Sequence, residues 1–312
     1  MTELDMDKLH ATGKPKMLGD LGGAFCIPCT HIGLRLGLFD ALDQGGGDGG
    51  LPKQAPVSPK PYVQEWVLAQ AANGFVTFEP ETARFHLSPE QAMVFAIKDS
   101  PVYLAGALDL AAAMIEGEPK VEAAFRDGSG VRWGDSAGCL FCSVGAFFRP
   151  TYANAIGQER LPALDGVDAK LKAGAKVADI GCGVGFSTLL MADAYPESSF
   201  VGFDFHEESI AEARSHATGH GSGARGRFET AAAKEIAEGG FDLITAFDCL
   251  HDMGDPKGCA THMREILKPD GTWMIVEPMA GDRPEDNMNP VGRLHYNAST
   301  MICRPAKREL PR

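Results

Sequence analysis

The stretch Val177-Ala-Asp-Ile-Gly-Cys-Gly-Val-Gly185 constrains this chain more than any other. An apolar strand runs into three alternating glycines, Gly181, Gly183 and Gly185, and the pattern predicts a helix from about Phe186 to Tyr195. Glycines allow a tight turn and a close approach of ligand to backbone, and a helix N-terminus offers free N–H groups. Such a strand–turn–helix unit holds a nucleotide-like ligand. Ser199 to Phe203 predicts a second strand, with Asp204 at its carboxyl end, 23 residues after Gly181. A carboxylate there can take both hydroxyls of a ribose. The spacing alone leaves a dinucleotide and S-adenosylmethionine both open.

Downstream, strands are predicted at Arg227–Thr230, Phe241–Phe247 and Thr272–Glu277, with helices at Glu207–Ala217 and Pro256–Leu267. The order βαβαβαβαβ demands a mostly parallel sheet with right-handed crossovers. Active residues should then lie beyond the carboxyl ends of the strands. Those ends present Asp179 and the glycine turn, Asp204, Glu229 or the alanines behind it, Asp248-Cys-Leu-His251-Asp252, and Glu277.

The N-terminal half reads differently. Residues 1–20 are polar, and His31 to Leu42 is patterned as an amphipathic helix. A glycine-rich break follows at 44–50, then a proline-interrupted stretch at 51–57. Pro59 to Asn73 predicts a helix with Tyr62, Trp66 and Ala69 on one face, and Phe75 to Leu87 two short strands around a polar turn. Helices followed by a small hairpin describe a winged-helix-like module. Its candidate recognition helix carries Lys60 and otherwise no cation, and the chain's net charge is −13. Both argue against a nucleic-acid partner. Pro101 to Ile115 is rich in alanine and leucine, as expected of a helix buried on several sides at a subunit interface. Residues 141–156 are aromatic-rich; together with Trp133, the side chains Phe147, Phe148 and Tyr152 are candidates to wall a substrate pocket. The expected division is an arm (1–24), a winged-helix-like domain (25–98), a helical and aromatic linker or lid (99–160) and an α/β domain (161–312).

Asp179-Ile-Gly-Cys-Gly-Val-Gly, with an acid before the first glycine, resembles motif I of the class I S-adenosylmethionine-dependent methyltransferases. The dinucleotide fingerprint is matched less well, because Phe186 stands where its third glycine or alanine falls. The resemblance runs from about residue 25 to 303. It implies a Rossmann-like α/β sheet and S-adenosyl-L-methionine as cofactor. Gly181, Gly183 and Gly185 would pass beside the methionine and ribose, and Asp204, followed by Phe205, would take the ribose. Ala231 and Ala232 would lie near adenine. Asp248 and Cys249 would face the methionyl side, and Asp179 would organise the loop and meet the cofactor's amino end.

Asp248-Cys-Leu-His-Asp-Met-Gly-Asp-Pro is similar to the His-Asp-Trp stretch of small-molecule O-methyltransferases typified by the plant phenolic enzymes, with Met253 in place of the tryptophan. It implies His251 as general base and substrate-pocket residue, with Glu277 orienting it or lining the site. An imidazole near its unperturbed pKa suits proton removal near neutral pH. Asp252 and Asp255 are candidates to hold its tautomer or to cap the helix at Pro256. No metal is expected, since a sulfonium is already a good leaving group. The domain order also resembles bacterial methyltransferases with an N-terminal winged-helix-like module. Members of that group show a histidine pair after a Trp-Gly-Asp stretch, where Ser136 and Ala137 stand here. The implied partners are a small-molecule acceptor and a second copy of the chain.

Eight cysteines include two CxxC pairs, Cys26/Cys29 and Cys139/Cys142. Their apolar flanks favour buried reduced thiols in a cytoplasmic protein over a four-thiolate zinc site. No run of eighteen apolar residues occurs, so no membrane span is expected. Only 35 residues follow Glu277. Residues 282–290 are polar, Asn289 to Cys303 suits a loop and one helix, and Arg304 to Arg312 is basic and proline-broken. This tail has neither the length nor the β-richness for the sixth and seventh strands of a class I sheet, which leaves an exposed edge and lowered stability as expectations. The alternative is a catalytically impaired cofactor-binding or regulatory protein derived from a methyltransferase.

Overall fold

In the computed structural model, residues 6–8, 14–45, 60–136, 138–221, 223 and 225–309 are described. The breaks expected at 46–50 and 51–57, and the altered position 137, lie outside them. The chain divides into two compact units, residues 1–112 and 113–312.

The first unit holds helices α1 (Met6–Lys8), α2 (Lys14–Arg35), α3 (Leu38–Asp43) and α4 (Lys60–Ala72), the hairpin β1 (Thr77–Glu79)–β2 (Arg84–His86), helix α5 (Pro89–Phe95) and the start of α6 (Ala105–Asp127). Helix α2 begins well before the expected His31, and Gly37 separates it from α3. The buried stripe of α4 is Val63, Trp66, Val67 and Gln70, spaced i, i+3, i+4, i+7. Tyr62, expected on that face, is 75 % exposed because the stripe is rotated by one residue. The Trp66 indole donates to the Cys29 carbonyl at 2.9 Å, and its ring meets Phe39 edge-on. Phe39 in turn stacks on Phe95, so one aromatic cluster fastens α3, α4 and α5.

The second unit continues α6 and adds α7 (Leu140–Ala155), α8 (Val167–Ala173), β3 (Lys176–Ile180), α9 (Phe186–Ala194), β4 (Ser199–Asp204), α10 (Glu207–Thr218), β5 (Gly226–Thr230), β6 (Phe241–Phe247), α11 (Pro256–Ile266), β7 (Leu267–Val276), α12 (Pro290–Ala298) and α13 (Arg304–Glu309). Pro119 and Pro150 lie inside α6 and α7. Five strands form a parallel sheet in the order β5-β4-β3-β6-β7. The described residues thus hold seven strands, two in the hairpin and five in this sheet. After β7 the described residues are helical or irregular.

Side chains alternate along the central strands. Val177, Phe200 and Leu243 enter one core, while their neighbours Ala178, Val201 and Ile244 enter another. Both faces of the sheet are therefore buried, as parallel sheets require. Strand β7 starts earlier than expected because the Pro269-Asp270-Gly271 turn is absorbed as an irregularity between the pairs Phe241–Leu267 and Leu243–Thr272.

Two further expectations are corrected. Cys139 and Cys142 are joined as a disulfide rather than held as reduced thiols. The first turn of α7 brings the i, i+3 pair to a Cα separation of 5.2 Å, within bridging range. Cys26 and Cys29 are free. The proline-broken stretch after Cys303 also carries more structure than expected. Helix α12 is the one helix expected in 289–303; it runs into a wide turn, Ser299–Cys303, and then α13, with Pro305 in its first turn. Among the described residues no helix is long and apolar enough to cross a membrane.

Candidate functional site

The sheet reverses direction of winding between β3 and β6, and the crevice beyond the carboxyl ends of these strands is where an α/β sheet binds ligands. The glycine turn forms its floor. Gly181 N–H donates to the Phe203 carbonyl at 2.8 Å, locking the turn to β4. Gly183 has φ +52°, and a Cβ added there would meet nothing within 4 Å. Its open side is a cradle that a ligand can enter. Gly185 has φ +83° and no such space, for a Cβ would lie 2.8 Å from the Phe228 ring.

Asp204 ends β4 beside this cradle. Its Oδ2 accepts from the Gly183 N–H at 2.9 Å and its Oδ1 from the His206 N–H at 2.9 Å. Each carboxylate oxygen keeps a further lone pair for a hydroxyl donor. Burial pushes this carboxyl up, and the two amides oppose burial. Phe205 follows, 45 % exposed. The Ala231 N–H donates to the Asp204 carbonyl at 2.9 Å, which places half-buried Ala231 and Ala232 at the same end of the sheet.

Asp179 faces inward instead. It is 1 % exposed and accepts from the hydroxyls of Ser187 (2.6 Å), Thr188 (2.7 Å) and Thr245 (2.8 Å). It joins β3, the start of α9 and β6 beneath the glycine turn. Burial pushes its carboxyl up against these three donors.

Beyond β6 the chain makes a short turn, Leu250–Asp252. Asp248 enters it with φ +50°, a left-handed conformation uncommon outside glycine and tolerated best by Asn and Asp. Its carboxylate accepts the Tyr152 hydroxyl. Burial pushes Asp248 up, and burial with the neighbouring carboxylate pushes Tyr152 up as well. Cys249 Sγ donates to the Ile180 carbonyl at 3.1 Å, and burial holds its thiol well above the ordinary value.

His251 is clamped on both nitrogens. Nδ1 pairs with Glu277 Oε2, while the Leu250 N–H donates to Glu277 Oε1 at 2.7 Å. Nε2 lies 3.3 Å from Asp252 Oδ1 and 3.8 Å from Cys303 Sγ. The Cys303 contact and the Glu277 pairing raise the imidazole to about 10, so it holds its second proton at neutral pH. Burial pushes Glu277 up, but the imidazole beside it wins and holds the carboxyl below its ordinary value.

The structure thus gathers Asp248, Cys249, His251 and Glu277 at one end of the sheet, with Gly181, Gly183, Gly185 and Asp204 beside them. Of the aromatic candidates, Tyr152 is 7 % exposed and reaches the group through its hydroxyl, and Phe148 stacks on it at 5.5 Å. Phe147 meets Phe148 edge-on. Trp133 stands in a separate turn, Trp133–Asp135, packed through Gly134 against His206. His206 and Asp255 cap helices α10 and α11. Cys303 escaped the sequence reading. It lies 52 residues from His251, at the end of the segment expected to be a loop and one helix.

A family described as a methyltransferase domain matches residues 171–303. Residues 171–303 are thus similar to a methyltransferase domain. The ubiquinone biosynthesis O-methyltransferase of Bordetella avium (strain 197N) is 30 % identical over 135 residues, 42 % of this chain and 53 % of that one. The chain spans about half or less of the length of the curated relatives it matches. Among solved structures, an O-methyltransferase family protein from Burkholderia thailandensis is similar with a TM-score of 0.69 at 15 % identity, over 95 % of this chain and 88 % of that one. Human N-acetylserotonin methyltransferase in complex with S-adenosylmethionine is similar with a TM-score of 0.67 at 17 % identity, over 97 % and 88 %. At such identities the likeness shows the fold. The chain therefore has the fold of these O-methyltransferase structures, with a parallel α/β sheet in the second unit and a mostly helical first unit.

Proposed function

We propose that the protein transfers a methyl group from S-adenosylmethionine to a hydroxyl of a small molecule, with His251 as general base. The cradle at Gly183 beside the free lone pairs of Asp204 carries this reading. These residues fit the cofactor: Asp204 would hold the ribose hydroxyls, Gly181 to Gly185 the chain between ribose and methionine, and Ala231 and Ala232 the adenine. Asp248 and Cys249 would border the methionyl end, and Asp179 would hold the glycine turn from beneath. When bound, the cofactor supplies a methyl group on a cationic sulfur.

The remaining chemistry belongs to the chain. Glu277 fixes the His251 ring through Nδ1 and leaves Nε2 as the proton acceptor. Removing the acceptor proton requires Nε2 to be neutral and free of Cys303 and Asp252. Tyr152, Phe147 and Phe148, with Trp133, offer apolar surface to an aromatic acceptor. A homodimer completes the reading, because α2 exposes Met17, Leu18, Leu21 and Phe25 along one stripe.

The covered Nε2 favours a second reading, a cofactor-binding protein without turnover. Calorimetric titration with S-adenosylhomocysteine tests the site, and turnover separates the readings. Micromolar affinity lost in Asp204→Ala supports the cofactor site, and its persistence in that variant overturns the assignment. Methylation of a screened phenol that falls about a hundredfold or more in His251→Ala supports the base. Cofactor binding with no turnover over a broad acceptor panel favours the second reading.

A further inference from the structure

We propose that His251, Asp252 and Cys303 form a three-ligand site for a borderline-soft divalent cation, Zn²⁺ foremost, with a fourth position left open. One ligand atom from each residue lies within 4.8 Å of the other two. Nε2 stands 3.3 Å from Asp252 Oδ1 and 3.8 Å from Cys303 Sγ. A tetrahedral zinc with bonds of about 2.0 Å to nitrogen and oxygen and about 2.3 Å to sulfur needs separations of roughly 3.3 Å and 3.5 Å. The two distances from Nε2 are within a few tenths of an ångström of these values, and the carboxylate–thiol separation, within 4.8 Å, closes by up to about 1.3 Å on binding.

Two further observations point to a cation. Asp252 Oδ1 is buried and accepts no well-formed hydrogen bond, with His251 Nε2 at 3.3 Å facing it. A buried carboxylate oxygen so sparsely partnered is suited to a cation, and a metal would satisfy it more fully. The opposite nitrogen of His251 is paired with Glu277, which is itself held by the Leu250 N–H at 2.7 Å. This carboxylate–histidine arrangement is how proteins orient an imidazole toward a metal. Imidazole, carboxylate and thiolate together suit Zn²⁺ better than Mg²⁺ or Ca²⁺. Coordination replaces the Cys303 S–H, and any proton on Nε2, by metal bonds and releases those protons to solvent.

The site joins two remote segments. His251 and Asp252 stand on the turn after β6, and Cys303 on the turn before α13, whose Lys307 Nζ donates to the His251 carbonyl at 3.3 Å. A bound cation would pin this C-terminal segment to the sheet end. One consequence rests on the reading of His251 as the base: Nε2 cannot hold a metal and take a proton at once, so the loaded protein cannot turn over by that route.

Titration of the whole protein with Co²⁺ tests the site without any activity measurement. One equivalent of Co²⁺ giving tetrahedral visible bands and a thiolate charge-transfer band is expected. Both should vanish in Cys303→Ser and persist in the double variant Cys26→Ser/Cys29→Ser. Should Cys303→Ser fail a circular-dichroism check of folding, Asp252→Asn serves instead and should weaken Zn²⁺ competition against Co²⁺ by about tenfold or more. Absence of the thiolate band in the wild type, or its survival in folded Cys303→Ser, overturns the site. Zn²⁺ that displaces Co²⁺ yet leaves methylation unchanged keeps the site and overturns the base assignment.

Discussion

At the scale of single residues, Gly183 and Gly185 separate binding from stability. Both hold left-handed backbone, which costs another residue about 1–2 kcal/mol. A methyl at 183 points into the open cradle, whereas one at 185 strikes Phe228 and Ala213 at 2.8 and 2.9 Å. Overpacking of that kind adds about 1–3 kcal/mol. Gly183→Ala is therefore expected to lower affinity for S-adenosylhomocysteine about tenfold or more while lowering the melting temperature by only about 2–5 °C, the backbone cost alone. Gly185→Ala is expected to lower that temperature by on the order of 5–10 °C. Titration calorimetry and thermal melts of the two variants check this, and an unchanged affinity in Gly183→Ala would mean the ligand lies elsewhere. The glycine spacing was legible in the sequence. Which glycine faces a ligand and which faces packed side chains was not, because that depends on Phe228 arriving from β5.

At the scale of elements, Asp242 fastens three strands at the amino end of the sheet. Its Oδ2 accepts from the Lys176 N–H of β3 at 2.9 Å and its Oδ1 from Lys268 Nζ of β7 at 2.7 Å. Burial pushes its carboxyl up, yet the Lys176 amide and the Lys268 ammonium outweigh burial and hold it below the usual carboxylate range. A group with a lowered folded-state value stabilises fully above its unfolded pKa of about 3.9, and loses that contribution as pH falls through the folded value. Asp242→Asn should therefore be less stable than the wild type near neutral pH, with the gap closing toward about pH 3. Urea unfolding across that range measures the gap, and a constant difference would contradict the pairing. Strand order was foreseeable from the βα alternation, since right-handed crossovers leave few topologies. Element boundaries were not. The i, i+3 cysteines of α7 formed a disulfide that apolar flanks had argued against, and the prolines at 119 and 150 sat inside helices that tertiary packing sustains.

At the scale of the whole molecule, the exposed stripe of α2 bears on association. Met17, Leu18, Leu21, Phe25 and Ile32 are between 38 % and 70 % exposed at helical spacing. An apolar stripe exposed among the described residues suits the dimer contact proposed above. Phe25→Asp is expected to shift the protein toward the monomer in sedimentation velocity, with the S-adenosylhomocysteine affinity kept. A distribution identical to the wild type would remove α2 from the contact. The net charge of −13 weighs against a phosphate-backbone partner.

The sequence alone determined the sheet, because hydrophobic alternation, strand–helix order and the glycine turn are local patterns that survive without a fold. It also marked Asp204, His251 and Glu277, since a carboxylate or an imidazole at a strand end is recognisable by position. Only the tertiary structure decided what surrounds them. It turned Asp179 inward onto three hydroxyls, gave Asp248 to Tyr152, and brought Cys303 across 52 residues to the imidazole. Such meetings depend on how helices pack over the sheet, and no periodicity in the chain encodes the distance between two side chains so far apart.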